Sequence, residues 1–115
     1  MSDRSCLFCR IVSGEIPSTQ VFEDEHCVAF RDLNPQAPTH VLIIAREHFG
    51  SLDEATPEQE SIIGHAVRAA STIAAKEGLT AGYRTVINTG ADAGQSVFHL
   101  HVHLLGGRPL AWPPG

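Results

Sequence analysis

The sequence has few cations, few aromatic residues and no long apolar run. Lysine and arginine together number eight in 115 residues, against thirteen aspartates and glutamates, so the formal net charge is −5. A chain with so few cations lacks the basic stripe that binds long polyanions, and we therefore expect no nucleic-acid partner. No apolar run approaches the roughly 20 residues that cross a bilayer, so we expect no membrane partner either.

Cysteine is also scarce, and the start of the chain does not resemble a secretion signal. Residues 1–5 contain neither an apolar run nor a cleavage site, and Cys6 follows directly. We therefore expect a cytoplasmic protein, in which cysteines act as metal ligands or core residues rather than as disulfides. The length predicts one domain over residues 1–115, large enough to hold a core without covalent staples.

One long helix is predicted in the middle of the chain. Thr56 and Pro57 are a typical helix start, and an apolar stripe at helical spacing continues to Gly78, which predicts a helix from about Pro57 to Glu77. The stripe leaves His65 on the solvated side of this helix. Its members are Ile62, Ile63, Ala66, Val67, Ala70, Ile73 and Ala74.

Four or five strands surround this helix. A short helical turn over Leu7–Val12 comes first, and one long helix on a mainly antiparallel sheet is an α+β fold. The Pro-rich tail carries Trp112, and an exposed Trp there predicts docking on another surface such as a second subunit. The predicted strand segments are Thr19–Glu23, His26–Asp32, Val41–Ala45, Tyr83–Asn88 and Phe98–Leu105.

Three histidines alternate with aliphatic residues in the last of these strands. Because side chains alternate between the two faces of a strand, His99, His101 and His103 share one face, while Leu100 and Val102 share the other. The aliphatic face belongs to the core, which fixes the register. Three interpretations stay open: half-exposed edge histidines, a zinc or iron site of the His-x-His kind, and nucleophilic catalysis by imidazole.

The loop before the histidines, residues 89–97, favours a nucleophile beside a bound oxyanion. Gly90 and Gly94 permit backbone conformations that turn successive N–H groups toward a ligand. Such a set suits a tetrahedral oxyanion, although a flexible hairpin loop explains the glycines equally well. Neutral hydrogen-bond donors are added by Asn88, Gln95 and Ser96.

A neutral His101 would then attack phosphorus through its unprotonated ring nitrogen. The other ring nitrogen must carry the proton, and a backbone carbonyl is the usual acceptor that fixes this tautomer. The product is a phosphohistidine-type intermediate that water hydrolyses. His103 and His40 would supply protons or positive charge to the phosphate.

Cys6 and Cys9 form a C-x-x-C pair that predicts a zinc site. Zinc needs two further ligands, and the candidates are His48 and His99. A closed Cys₂His₂ set would be structural and would tie the start of the chain to the sheet. A reduced, empty dithiol is the alternative interpretation. Cys27 is expected to be a buried core residue.

Several motifs match one protein family along nearly the whole chain. They are His99–Leu105 with its alternating histidines, Glu15–Pro17, Phe22–Asp24, Pro35–His40, Gly94–Val97, Leu105–Arg108 and Trp112–Gly115. On these motifs the chain resembles the Hint branch of the histidine triad (HIT) family. The resemblance implies a homodimer with a HIT-like fold. It also implies a purine nucleoside phosphoramidase, which hydrolyses adenosine 5′-phosphoramidates and related acyl or aminoacyl adenylates.

The resemblance assigns roles by position. His101 resembles the family nucleophile, His103 the residue that contacts the phosphate, and His40 its proton-relay partner. Asp32 resembles the carboxylate that holds the ribose hydroxyls, and the tail ending in Trp112 resembles the segment that reaches the partner's active site. Contacts to the phosphate and leaving group are implied for Asn88, Gly94, Gln95 and Ser96. The apolar slot for the base is implied for Phe8, Ile11, Ile16, Phe30 and Leu33.

The resemblance also implies a structural zinc and no cofactor for catalysis. Cys6 and Cys9 are typical of some microbial HIT proteins, which bind zinc with two histidines, and His99 then resembles a ligand. The implied reaction proceeds at the α-phosphate through a covalent nucleotidyl-histidine. Two alternatives share this adduct, a dinucleoside polyphosphate hydrolase and a nucleotidyltransferase. A third, of another class, is a nucleotide-binding adaptor with vestigial activity.

Overall fold

The computed structural model describes residues 3–115 and contains a five-stranded antiparallel sheet. The strands are β1 (Gln20–Glu23), β2 (Cys27–Arg31), β3 (Thr39–Ala45), β4 (Tyr83–Val86) and β5 (His101–Gly106), in the order β1-β2-β3-β5-β4. Helix α1 (Leu7–Val12) precedes the sheet, and helix α2 (Glu60–Lys76) connects β3 to β4. The predicted α+β fold, with one long and one short helix, is confirmed.

Two expectations from the sequence concern secretion and membrane insertion. Met1 and Ser2, which open the segment judged to carry no secretion signal, lie outside the described residues. Within residues 3–115, neither helix combines the length and the apolar character that crossing a bilayer demands.

The signals at the two ends of the long helix act as predicted. The chain enters α2 through a 3-10 turn, Pro57–Gln59, and the backbone N–H of Thr56 donates to the side-chain oxygen of Gln59 at 2.9 Å. At the other end, Gly78 has a φ of 73°, a conformation that costs glycine little. The N–H of Leu79 then donates to the carbonyl of Ala74 at 3.0 Å and completes the last turn.

Helix α2 covers one face of the sheet with small side chains. Val67 was predicted in the apolar stripe but is 41% exposed, whereas Ala69, which was not predicted, is buried. Val67 lies about 100° around the helix from Ala66 and therefore falls at the edge of the contact. The buried helix residues are Ala66, Ala69, Ala70, Ile73 and Ala74, and they pack on Cys27, Ala29, Val41, Ile43, Val102 and Leu104.

His65 lies off the apolar stripe with 40% of its side chain exposed, as predicted, but it also makes a polar contact that the sequence did not predict. Its Nε2 bonds to the carboxylate of Asp24 in the β1–β2 turn, and its ring lies 4.5 Å from the ring of His26. The other carboxylate oxygen of Asp24 accepts the backbone N–H groups of His26 and Cys27. A helical stripe counts apolar contacts alone, so it cannot detect a polar contact between a helix and a distant turn.

The histidines lie on the opposite face of the sheet, under α1. Phe8 of α1 packs there on the second apolar cluster, which includes Phe30, Leu42 and Ile44. His101 pairs with Ile44 across the strands, and His103 pairs with Leu42, so both rings project from this face. The strand begins at His101 rather than at Phe98, so His99 precedes it, but the His99 ring still lies on the α1 side, 5.9 Å from the Phe8 ring.

Candidate active site

A cavity of about 330 Å³ opens on the sheet face that carries the histidines. This size is typical of small-molecule sites. Helix α1 and β2 form one wall, and the segment between β4 and β5 forms the other. Eleven predicted site residues line it: Phe8, Ile11, Ile16, Phe30, Asp32, Leu33, Asn88, Gly94, Ser96, His101 and His103.

Seven further lining residues were not predicted from the sequence. Leu42 lies two residues after His40 on β3, so the strand period alone would have placed it on the same face. Leu7 lies four residues before Ile11 and shares its side of α1. For the remaining five, no helix or strand period in the sequence indicates that the side chain faces the cavity. The complete set is Leu7, Pro17, Ser18, Thr19, Arg31, Leu42 and Val97.

Phe8 joins the apolar part of the cavity to the histidines. Its ring meets the Phe30 ring edge-on, with centroids 5.8 Å apart, and meets the His101 ring at 5.0 Å and 90°. Edge-to-face contacts of this kind are favourable and restrict ring orientation. The apolar slot therefore also constrains the imidazole plane of His101. Leu33 lies at the cavity mouth and is 97% exposed.

Hydrogen bonding determines which nitrogen of His101 is free. Its Nδ1 lies 2.7 Å from the carbonyl oxygen of His99. A carbonyl only accepts, so Nδ1 carries the proton and Nε2 of the neutral ring presents a lone pair. Burial lowers the pKa of His101, although the bond to the carbonyl opposes the shift. The ring is therefore neutral near pH 7, with Nε2 available for attack.

A backbone N–H group orients the pair formed by His40 and His103. The N–H of Gln36 donates to Nδ1 of His40 at 3.0 Å, so the proton of neutral His40 is on Nε2. That Nε2 lies 2.9 Å from Nδ1 of His103 and 3.4 Å from the Asp32 carboxylate. His103 Nδ1 must then accept, which leaves the His103 proton on Nε2. His103, whose ring lines the cavity, is therefore a donor.

Burial keeps these two imidazoles neutral. Burial, together with the neighbouring rings of His101 and His40, lowers the pKa of His103 to about 4 against the attraction of the Asp32 carboxylate. Burial also lowers the pKa of His40, against the attraction of the Asp32 carboxylate. The arrangement holds three neutral rings with defined donor and acceptor nitrogens.

Three of the predicted catalytic and substrate-binding residues do not line the cavity. His40 lies behind His103 and reaches the cavity only through it. Trp112 is 80% exposed in the tail. Gln95 is 6% exposed, and its amide bonds to the backbone at Gly50, Gly90 and Val97.

Beside the cavity, the four predicted metal ligands come together. Cys6, Cys9, His48 and His99 offer ligand atoms that all lie within 4.8 Å of one another. The distances from sulfur to Nδ1 are 3.3–3.5 Å, and the two Nδ1 atoms are 3.2 Å apart. Tetrahedral zinc with ordinary bond lengths would separate sulfur and nitrogen ligands by about 3.6 Å, and two nitrogens by about 3.3 Å. The residues fit zinc.

The surroundings of His99 also suit a ligand. Its Nε2 donates to the carbonyl of Ala45, which leaves Nδ1 unprotonated and facing the two thiols. Burial raises the pKa of the Cys9 thiol, so the thiolate needs a nearby cation. A metal ion would supply that charge.

The chain is similar to proteins of one family. Residues 13–110 match the HIT domain. It is 47% identical over 116 residues to the adenylylsulfatase HINT1 of Arabidopsis thaliana, covering 99% of this chain and 79% of that protein. It is 50% identical over 117 residues to a 14 kDa zinc-binding protein of Zea mays, covering 100% and 91%. A HIT family hydrolase from Legionella pneumophila has a TM-score of 0.92 and 48% identity, covering 96% of this chain and 99% of that one.

The protonation pattern predicts an acid-sensitive site. Between about pH 6.5 and pH 4, the unfolded chain would protonate His103 while the folded chain does not, so stability should fall as the pH falls through this window. Nitrogen NMR should find His103 neutral at pH 6. His103→Asn should flatten the decline in unfolding free energy below pH 6.5. A His103 ring already charged at pH 6 would contradict the assignment.

Proposed function

The chain belongs to the HIT family, and from that premise we propose that it is a purine nucleoside phosphoramidate hydrolase. One observation carries the proposal. His101 donates through Nδ1 to the His99 carbonyl, so its Nε2 is unprotonated, and the ring lines a cavity of nucleotide-compatible size. Pure binding would not require a nucleophile held in that state.

The cavity offers separate surroundings for each part of a nucleotide. The base would enter the apolar slot between Phe8 and Phe30. Asp32 would accept the ribose hydroxyls, and a carboxylate there would repel a 2′-phosphate. The α-phosphate would lie against Gly94 and Ser96, both exposed to the cavity. Asn88 would donate to the phosphate or the leaving group.

In the first step, Nε2 of His101 bonds to the α-phosphorus as the phosphorus–nitrogen bond of the substrate breaks. An amine is a poor leaving group unless protonated, and His103 would give it the proton of Nε2. The pair would take up one proton from water together with the anionic substrate, and His40, whose Nε2 lies 2.9 Å from Nδ1 of His103, would share it, so that both rings are neutral after the transfer. The products are a free amine and a nucleotidyl-His101 whose positive charge is eased by the His99 carbonyl.

In the second step, water attacks phosphorus and the bond to His101 breaks. The proton lost by water passes to the His103–His40 pair and on to solvent, which leaves both rings neutral. A nucleoside monophosphate leaves. Dividing one displacement into two by means of a covalent adduct lowers each barrier.

A second candidate substrate is adenylyl sulfate, because one relative is named an adenylylsulfatase. Sulfate leaves readily as an anion, so its departure needs no proton. His40→Ala should therefore reduce phosphoramidate turnover by roughly 10²-fold or more and adenylyl sulfate turnover much less. Equal losses on both substrates would contradict proton delivery by this pair.

Turnover of a fluorogenic adenosine phosphoramidate tests the main proposal. His101→Ala should lower kcat by at least about 10³-fold, because the reaction loses its nucleophile. The control is His26→Ala, which alters a histidine outside the cavity. Mass spectrometry of the quenched wild-type reaction should find the nucleotidyl adduct on His101.

Other outcomes favour the alternatives. A wild type that binds AMP but turns over no substrate would be a nucleotide-binding adaptor. Faster cleavage of dinucleoside polyphosphates, or transfer to an acceptor other than water, would identify the other two enzymes.

We also propose that Cys6, Cys9, His48 and His99 hold a structural zinc ion. With four protein ligands the ion would serve as a cross-link between α1 and the sheet. The name of the maize relative supports this proposal, as does the fit of the ligand distances. We also propose a cytoplasmic location, where the thiols of Cys6, Cys9 and Cys27 would stay reduced.

Metal analysis tests the zinc proposal. Protein purified without added zinc should contain about one equivalent, and Cys9→Ser should lose most of it together with thermal stability. Cys27→Ala is the control, because Cys27 lies in the core away from the ligand cluster. Less than half an equivalent in the wild type, unchanged by Cys9→Ser, would overturn the proposal.

We further propose that the protein is a homodimer. β4 is an edge strand, and Tyr83 on it is 42% exposed, as is Val67 on α2 at 41%. The exposed Trp112 would reach the partner's site, as the family resemblance implies. Light scattering should give twice the chain mass, and a monomer at micromolar concentration would count against it.

A further inference from the structure

The segment that would hold the phosphate is built from alternating exposed and buried positions. Gly94 and Ser96 both line the cavity, and Gly94 has a φ of 94°. Gln95 lies between them with its side chain only 6% exposed, and it is absent from the cavity wall. The Gln95 amide, which we expected to contact the substrate, is therefore not directed into the cavity.

The Gln95 amide closes this loop on itself. Its Oε1 accepts the N–H of Gly90 at 2.9 Å, while its own backbone N–H donates to the Gly90 carbonyl at 3.1 Å. Its Nε2 donates to the carbonyl of Val97 at 3.2 Å. One side chain thus bonds to both ends of the segment that contains Gly94 and Ser96.

The same amide fastens the loop to the core. Nε2 also donates to the carbonyl of Gly50 at 2.7 Å, although Gly50 lies 45 residues away in the sequence. Phe49, the neighbour of Gly50, is buried in an apolar cluster with Leu100. The N–H of Leu100 donates to the Phe49 carbonyl at 2.8 Å. The position of the loop is therefore set relative to the residue just before the histidine strand.

We propose that Gln95 is a positioning residue that sets the distance from the phosphate-binding loop to His101, and that it does not touch the substrate. The inference rests on the proposed function, since a phosphate group is the ligand assigned to the loop. Only a carboxamide can serve here, because the site needs one acceptor and two N–H donors. A loop fixed before binding loses little entropy when the phosphate arrives.

Amide exchange in the free protein distinguishes positioning from direct contact. In Gln95→Met, which keeps the length but removes all three bonds, exchange of the Gly90 and Gly94 amides should quicken by tenfold or more without any ligand. Gln20→Met, the same change at an exposed position of β1, is the matched control. Unchanged exchange in Gln95→Met would overturn the proposal.

Ligand binding gives the second measurement. AMP affinity should fall roughly tenfold in Gln95→Met, because AMP binding must then order a loop that the lost hydrogen bonds no longer hold in place. Adenosine affinity should stay within twofold, since the base slot lies on the other wall. Equal losses for AMP and adenosine would mean general damage and would also overturn the proposal.

A milder variant covers the case in which Gln95→Met does not fold. Gln95→Asn keeps the amide on a shorter side chain and should shift both measurements in the same direction by a smaller factor. Wild-type values in Gln95→Asn would contradict the proposal, because the shorter side chain should not reach the Gly50 carbonyl. These readouts do not need turnover, so failure of the proposed reaction in the wild type is a separate result.

Discussion

The hydrogen bond from His101 to the His99 carbonyl is the interaction on which the site depends. It fixes the proton on Nδ1 and leaves Nε2 with a lone pair. His99 can offer that carbonyl because its ring turns away, into the cysteine cluster, and is held there by the Ala45 carbonyl. The residue that begins the histidine motif thus belongs to the candidate metal site through its ring and to the candidate active site through its backbone.

One face of the sheet packs against α2, and the other carries the imidazoles of the candidate active site. Alanines of α2 cover one face closely, and α1 leaves part of the other open, where the imidazoles project. Burying several rings is costly unless each nitrogen that is shut off from solvent is bonded and the ring stays neutral. Among residues 3–115, no buried side-chain nitrogen or oxygen lacks a partner. Low pKa values at His101 and His103 follow from that burial.

The loop and the candidate metal site share one supporting segment. His48 faces the thiols, and Gly50, two residues later, accepts the Gln95 amide. Disturbing this segment would therefore reach both the metal ligands and the loop, through two different bonds. This is a reason to measure metal content and loop exchange on the same variants.

Local chemistry was readable from the sequence wherever it follows from backbone geometry. The caps of the long helix, the strand period that sets His101 and His103 on one face, and the C-x-x-C spacing each involve residues a few positions apart. Only tertiary structure decided the contacts of His65 with Asp24 and of Gln95 with distant backbone, while the pairing of His40 with His103 was implied by the family resemblance alone. Periodicity fixes the direction of a side chain, but strand register and loop packing determine which group it meets.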